Sequence, residues 1–300
     1  MEGLKVEPGE PARVTGIETS AGTLPCDALI LATGHSARDT WDLLIRDGVA
    51  LQAKPFQLGV RIEHPQELID RGRYGDATLA RQLGASAYNL VWKGGGGCPP
   101  AHSFCMCPGG RIVASVNRAG ELCTNGMSNA AHSSGRANAA IVTTFGPREF
   151  GAGPLDGVRF QRDLERRFFE AGGSDYTAPS QTAADFLARR ETPEPGRTTY
   201  TFGTCTGRID ALLPERARDA IAAALVRWDR TIPGFAGPDG ILVGLESRSS
   251  GPVRIVRDAG TRTATGFSNL YPVGEGAGYA GGIMSAALDG ADSAFAFLER

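Results

Sequence analysis

The chain has 300 residues, of which 41% are hydrophobic and 21% charged, as is typical of a folded protein with a sizeable core. Its 31 basic and 33 acidic residues leave a formal charge of -2 without any dense basic run, so neither nucleic acid nor a membrane is expected as a partner. The longest apolar runs, such as ALILA, are far shorter than the roughly 20 residues of a membrane-spanning helix, and the N-terminus has no apolar signal core, so we expect a cytoplasmic location.

The first 50 residues predict two strands followed by a helix. ARVTGIETS has the alternation of an amphipathic strand, AGTLP is a turn, and CDALILAT is the continuous apolar run of a strand buried on both faces. Ser36 is the predicted N-cap of a helix in which Trp41 and Leu44 fall at helical spacing. Because only one amphipathic strand precedes a strand that belongs in the centre of a sheet, we expect the chain to begin inside a domain.

Residues 51–240 predict a separate mixed α+β domain. The β-rich stretches FQLGVRIEH, RIVASVNR and TYTFGT alternate with glycine-rich loops, and helices are predicted near 158–171 and 215–229.

Residues 241–300 predict a return to the opening sheet. ILVGLES, VRIVRD and NLYPV are strand-like, and a helix is predicted from about Gly281 to Leu298. The predicted organisation is therefore a discontinuous domain, residues 1–50 and 241–300, that carries an inserted domain at 51–240.

The stretch YPVGEGAGYAGGIMSAALDG contains the spacing G-x-G-x-x-G at Gly276, Gly278 and Gly281. In a dinucleotide-binding fingerprint this spacing is followed by a helix and by a second strand with an acidic residue about 20 residues further on. The chain ends at Arg300, which leaves no room for that second strand. We therefore expect the spacing to be accidental and the glycines to have another role.

The Ala32-Thr33-Gly34 turn after the buried strand puts small residues where the carboxyl edge of a sheet meets a ligand, although alone it equally fits an ordinary tight turn. Together with the C-terminal stretch, it resembles the glutathione-reductase-type flavoproteins. More narrowly, five ordered motifs resemble the family of uncharacterised FAD-dependent dehydrogenases over about residues 12–300. The motifs are ATGHSARDTW, HSFCMCPGG, TNGMS, ESRSSGPVRIVRD and NLYPVGEGAGYAGGIMSAALDG.

This resemblance implies an α/β fold in which an incomplete FAD-binding Rossmann-like domain carries a large inserted α+β domain, with FAD as the cofactor. The residues implied to bind FAD are Ala32, Thr33, Gly34, Gly274, Glu275, Gly281, Gly282 and Ile283. The carboxylate of Glu275 would hydrogen-bond the ribityl chain in the region next to the pyrophosphate. The helix that starts near Gly282 would lie under the flavin, where its N-terminus stabilises negative charge on the ring.

The resembled family also has an N-terminal βαβ unit whose own G-x-G-x-x-G binds the ADP part of FAD, and residues 1–30 contain no such unit. We therefore expect the 300-residue chain to bind FAD weakly or not at all, and a longer form with that unit to purify yellow. The sequence leaves open whether the chain is a fragment or its start lies further upstream.

Two pairs of side chains are candidates for substrate binding. Cys105 and Cys107 belong to six unevenly spaced cysteines that do not resemble a disulfide framework or a zinc site, so we expect reduced thiols and no metal. We expect both cysteines on a loop of the inserted domain that faces the flavin, and both an inert and a redox-active role stay open for them. Arg248 and Arg254 flank a Ser-Ser-Gly-Pro turn, where guanidinium groups suit a carboxylate or phosphate but equally form ordinary salt bridges.

The resemblance implies an FAD-dependent oxidoreductase that passes a hydride between an unknown small molecule and flavin N5, with NAD(P)H as a candidate reductant. No residue is identified as the catalytic acid or base, and of the histidines only His35 is expected near the cofactor. The alternatives are a non-catalytic FAD-binding or RNA-modification accessory protein, and a fragment that does not bind FAD by itself. The oligomeric state is left open.

Overall fold

The computed structural model describes residues 1–299, with the backbone alone at residue 77. The strands in chain order are β1 Gly3–Glu7, β2 Arg13–Thr19, β3 Gly22–Pro25, β4 Leu29–Leu31, β5 Leu51–Ala53, β6 Phe56–Pro65, β7 Val91–Trp92, β8 Ala101–Cys107, β9 Gly110–Ala114, β10 Thr124–Ser128, β11 Arg136–Phe145, β12 Ala178–Thr182, β13 Thr204–Thr206, β14 Ile241–Glu246, β15 Val253–Ile255 and β16 Leu270–Pro272. The α-helices are α1 Arg38–Arg46, α2 Gln66–Tyr74, α3 Ala80–Leu83, α4 Pro147–Phe150, α5 Asp156–Ala171, α6 Ala183–Leu187, α7 Ile209–Leu212, α8 Glu215–Asp229 and α9 Ile283–Leu298, and Ala77–Leu79 form a 3-10 turn.

The chain divides into two compact units. Unit 1 comprises Met1–Phe56, Phe145–Phe160 and Arg248–Arg300, and unit 2 comprises Gln57–Thr144 and Gln161–Ser247. The predicted α/β class is confirmed by this mixture of helices and a large mixed sheet. The predicted domain boundaries, and the interpretation of one part as an incomplete Rossmann-like domain with an insertion, stay predictions.

Unit 1 contains three small sheets. Strands β1, β2 and β3 form an antiparallel sheet, β5 pairs antiparallel with β15, and β4 pairs parallel with β16. Strands are present at both predicted positions, as β2 and β4. The expectation that β4 is buried on both faces is wrong, because Ile30 is 48% exposed between buried Leu29 and Leu31. The stretch AGTLP, which we expected to be only a turn, supplies β3. The core between these sheets contains Val14, Leu44 and Leu270, none of which has exposed surface.

Helix α1 confirms the helix predicted after the buried strand and buries Trp41 and Leu44. The predicted cap is wrong, because the N-cap is Ala37, which has no side-chain hydrogen bond to offer. Ser36 lies one residue too early for its hydroxyl to occupy the capping position. Uncertainty of one residue is usual at a helix end.

Unit 2 is built around a seven-stranded sheet with the order β13-β12-β14-β6-β11-β8-β7. Strand β14 lies within it, pairing Leu242 with Ile62 of β6 and Ser180 of β12 with Val243. We expected this strand in the opening sheet, and that expectation is wrong. All six residues of β14 are buried, which identifies a central strand but does not identify its sheet.

The two long helices predicted in the middle of the chain are confirmed as α5 and α8. Helix α8 buries Ala217, Ile221, Ala224 and Trp228, which lie along one face at helical spacing. The strand predicted at TYTFGT is wrong for most of its length, because β13 begins only at Thr204, after Gly203 with φ +79°. Within the described chain, no helix combines the length and the hydropathy needed to cross a bilayer.

Candidate functional site

The two segments that the sequence singled out meet at one edge of the parallel pair β4 and β16. Leu29 pairs with Leu270 and Leu31 with Pro272, so the carboxyl ends of both strands lie side by side. In open α/β sheets, ligands bind at this edge. The turn Ala32-Thr33-Gly34 follows β4 there, with Ala32 and Thr33 exposed.

Close backbone packing joins the segment after β4 to the segment after β16. A Cβ added at Gly276 would lie 2.5 Å from the carbonyl oxygen of Gly34, so no larger residue fits between the two loops. The indole Nε1 of Trp41 donates to the carbonyl oxygen of Gly276 at 2.9 Å. His35 Nδ1 lies 3.3 Å from Glu275 Oε1. The structure therefore brings the predicted residues Gly34 and Glu275 together.

A buried ionic network holds the start of the second segment. Gly274, with φ +75°, donates its N–H to Asp289 Oδ2 of α9 at 2.7 Å. Asp289 also pairs with Arg257 at 2.5 Å and with Arg262. Burial acts to raise the pKa of Asp289, but the hydrogen bonds from Arg257 and Gly274 and the charges of both arginines outweigh it and hold that pKa below its ordinary value.

The start of α9 is open. A Cβ placed on Gly281 or Gly282 would meet no atom within 4 Å, and no side chain caps the helix at Gly282. The side chain of Ile283 is 89% exposed. The first N–H groups of a helix have no partners within it and carry partial positive charge, so this end of α9 offers donors and space to an acceptor.

Helix α9 has an unusual distribution of side chains. Its buried residues are the polar Asp289 and Ser293, whereas its apolar side chains are mostly exposed. The exposed apolar side chains are Ile283, Met284, Leu288, Phe295, Phe297 and Leu298. An apolar surface therefore continues along the helix from the open glycine pair.

A cationic group lies beside Glu275. Lys54 Nζ donates to the carbonyl oxygen of Gly251 at 3.3 Å, and burial first, then the charge of Arg254, lower the pKa of Lys54, while Glu275 acts to raise it. The guanidinium of Arg254 lies 5.2 Å from the centre of the Tyr279 ring.

Two buried nitrogen atoms at this site lack partners. Among the described residues, neither His35 Nε2 nor Arg254 Nε has a hydrogen-bond partner. A buried polar atom without a partner is costly, so the Nε–H of Arg254 fits a ligand that brings an acceptor to this edge. In a neutral His35 ring whose Nδ1–H faces Glu275, Nε2 fits a ligand that brings a donor. A flavin, which is a flat ring with donor and acceptor atoms, would need open backbone and unpartnered polar atoms of this kind, and its placement here stays a prediction.

The sequence reasoning missed Lys54 and Asp289. Asp289 could have been found, because it is one of two aspartates in a helix whose other residues are mostly apolar. Lys54 could not, because it comes near Arg254 only through the pairing of β5 with β15, which no local pattern predicts.

The remaining candidates lie in both units. Arg248 is buried in unit 1. Cys105 is exposed and Cys107 buried in unit 2, both on strand β8 and not on a loop as the sequence suggested. Across residues 1–299, no three His, Cys, Asp or Glu side chains are arranged to hold a metal ion.

Comparison with known proteins identifies the family. The family described as FAD-dependent protein, C-terminal domain-like, matches residues 55–249. The chain belongs to this family. An uncharacterized protein of Clostridium beijerinckii is 41% identical over 291 residues, which are 96% of this chain and 54% of that relative. The chain thus spans about half the length of the relative it matches.

Membership confirms the coarser part of the resemblance, an FAD-dependent family. The matched range includes all of unit 2, while the residues predicted to bind FAD lie outside it. The match therefore supports the class of cofactor, and the roles of residues 32–34 and 274–283 stay predictions.

Replacement of Gly278 tests whether the glycines of the G-x-G-x-x-G spacing are needed for the stability of the fold. It has φ +84°, and a Cβ there would lie 2.5 Å from the carbonyl oxygen of Val253, so Gly278→Ala is expected to destabilise unit 1 by about 1–3 kcal/mol. The matched control, Gly281→Ala, adds its methyl group to open space and is expected to change stability by less than about 0.5 kcal/mol. Urea unfolding of both variants checks this, and equal stabilities would contradict the strain argument.

Proposed function

We propose that this protein is an FAD-dependent oxidoreductase that passes a hydride between a small-molecule substrate and flavin N5, and that residues 32–35 and 274–283 bind the flavin part of the cofactor. Family membership supports the cofactor. The observation that carries the proposal for the site is the junction of the two loops at the carboxyl edge of β4 and β16, next to the open start of α9.

Each part of this edge suits a different part of the cofactor. Exposed Ala32 and Thr33 and the open pair Gly281 and Gly282 leave room for a flat ring against the backbone. The N–H groups at the start of α9 donate to acceptor atoms and favour negative charge. When bound, FAD supplies two-electron redox chemistry at its ring.

The polar side chains at this edge would bind and orient the polar groups of the cofactor and substrate. Glu275, held by His35 at 3.3 Å, is an acceptor for hydroxyl groups. Arg254, whose Nε lacks an acceptor within the described residues, is a donor for a carboxylate or phosphate oxygen. The positive charges of Lys54 and Arg254 make this part of the edge favourable for an anionic group.

The test of this site is Gly282→Val. Gly282 has extended backbone that valine tolerates, and the new side chain would enter the space proposed for the ring. We expect normal folding and at least a tenfold increase in the Kd for FAD, which is about 1.4 kcal/mol. Gly290→Val is the matched control, since it places the same side chain in open space about two turns further along α9 and should bind FAD as the parent chain does.

Equilibrium dialysis at high FAD concentrations, which suits the weak binding expected of this chain, gives the Kd values of the parent chain and both variants, and competition identifies which end of FAD is bound. Riboflavin should displace FAD, whereas ADP should not. An unchanged Kd for a folded Gly282→Val variant, or displacement by ADP alone, would contradict the proposed site. Bleaching of the bound flavin by NADH or NADPH would support the oxidoreductase, and failure of every reductant tried would favour a non-catalytic flavin-binding protein.

A further inference from the structure

Cys105 and Cys107 lie where strand β8 departs from regular pairing. Cys107 pairs with Asn138 of β11. Phe104 pairs with Ala140, so two residues of β8 stand opposite one residue of β11. Cys105 has φ +46°, in the left-handed region that residues other than glycine rarely adopt. Bulges and backbone strain of this kind recur at functional positions.

The bulge gives the two thiols different environments. Cys105 is exposed, whereas Cys107 is only 6% exposed. The Sγ of Cys107 donates to the carbonyl oxygen of Cys105 at 3.3 Å, so the buried thiol lies against the backbone of the exposed one. One thiol is therefore accessible to a reagent, and the other is close by and shielded from it.

A buried guanidinium lies against the pair. Arg61 has no exposed surface, and its Nη1 donates to the carbonyl oxygen of Cys105 at 2.9 Å. The hydrogen bond from the Cys107 thiol, together with the charge and hydrogen bonding of Arg61, holds the pKa of Cys105 below its ordinary value against the opposing effect of burial. The same thiol hydrogen bond and burial raise the pKa of Cys107. Cys105 is thus the thiolate of the pair.

Two other ionisable groups near the cysteines are Glu246 and Tyr88. Glu246 from β14 pairs with Arg61 at 2.9 Å, inside the sheet. Tyr88 is buried, and burial raises its pKa, so it is a neutral phenol. The negative charge of the Cys105 thiolate distinguishes this site from an ordinary buried thiol. The thiolate is the form of cysteine that attacks disulfides.

We propose that Cys105 and Cys107 form a redox-active dithiol that reduces low-molecular-weight disulfides. The Cys105 thiolate attacks one sulfur of such a disulfide, whose S–S bond breaks, forming a mixed disulfide at Cys105 and releasing one thiolate. Cys107 then loses its proton and attacks Sγ of Cys105, which breaks the mixed disulfide and releases the second thiolate. The protein loses two electrons and the Cys107 proton to form a Cys105–Cys107 disulfide, and the two released thiolates take up that proton and one from water to become two thiols.

Oxidised glutathione is the probe, and mass spectrometry of the intact chain and its peptides is the measurement. The parent chain should acquire a Cys105–Cys107 disulfide and release two equivalents of glutathione. Cys107→Ala should stop at the mixed disulfide on Cys105, and Cys105→Ser should form neither product. Cys205→Ser is the control and should behave as the parent chain, because Cys205 is partly buried and burial raises its pKa.

A second measurement requires neither a reaction nor a replacement at the buried Cys107. At about pH 6, iodoacetamide should alkylate Cys105 at least roughly tenfold faster than Cys205, because only Cys105 has substantial thiolate there. Thermal unfolding confirms that each variant is folded, and Cys107→Ser replaces Cys107→Ala if the latter is not. The proposal is overturned if Cys105 and Cys205 are alkylated at equal rates, or if folded parent chain forms no disulfide between Cys105 and Cys107.

Discussion

Replacement of Asp289 by alanine is expected to destabilise unit 1 by about 3–5 kcal/mol, the effect of removing one member of a buried ionic cluster. The side chain of Asp289 is 9% exposed, and those of Arg257 and Arg262 are 6% and 17% exposed. Without the carboxylate, the N–H of Gly274 loses its acceptor, and the guanidinium groups of Arg257 and Arg262 lose their buried counter-charge. The cost arises from leaving one donor unsatisfied and two positive charges uncompensated.

The same contacts predict how this effect depends on pH. The pKa of Asp289 is lowered in the folded chain, so its contribution is fully present above the unfolded value of about 3.9 and is lost as the pH falls through the folded value. The difference in unfolding free energy between the parent chain and Asp289→Ala should therefore be constant at neutral pH and narrow below about pH 4.

Asp292→Ala is the matched control for this prediction. Asp292 is also an aspartate of α9 that faces Arg262, but at 3.7 Å and with 62% of its side chain exposed. Its loss should change stability by less than about 1 kcal/mol. Urea unfolding gives the free energies, and hydrogen exchange locates the weakened segment. Equal effects of the two replacements would show that burial of the Asp289 network does not contribute to the free energy of unfolding.

Arg61→Met is expected to destabilise unit 2 by about 3–5 kcal/mol. Arg61 has no exposed surface and pairs with Glu246, whose side chain is 3% exposed, at 2.9 Å. It also donates to Asn125 and Asn138. Methionine is of similar length but leaves the carboxylate of Glu246 buried without its counter-charge, which is the dominant cost.

A second replacement separates the charge from the packing. The double variant Arg61→Met, Glu246→Leu removes both charges and should be more stable than Arg61→Met alone, since no unpaired charge remains buried. Arg166→Met is the control, because Arg166 is 47% exposed and pairs with an exposed Asp163, and it should change stability by less than about 1 kcal/mol. If the double variant were less stable than Arg61→Met, loss of packing rather than the unpaired charge would explain the effect.

Local patterns predicted the longer helices and several strands of this chain. Helices α5, α8 and α9 lie where apolar residues recur at helical spacing, and the run CDALILAT contains the strand β4. Such patterns depend on residues close together in the sequence and usually indicate which face of an element is buried. Helix α9 departs from this rule, because its buried residues are the polar Asp289 and Ser293. The same patterns gave the wrong partner for β14, since a strand that is buried on both faces fits the centre of any sheet.

The sequence by itself determined the longer helices α1, α5, α8 and α9, the strands β2, β4, β6, β9 and β14–β16, the class of protein, the FAD-dependent family and the small residues at the carboxyl edge of β4. Only the tertiary structure decided that Asp289 lies between Arg257 and Arg262, that Gly278 packs against Val253, and that Cys105 is exposed while Cys107 is buried. These features depend on residues that are distant in the sequence or on a bulge in strand pairing. The hydrophobic period and the residue types of an element indicate which of its side chains are buried. Which atoms of other elements contact those side chains is determined only when the elements pack together.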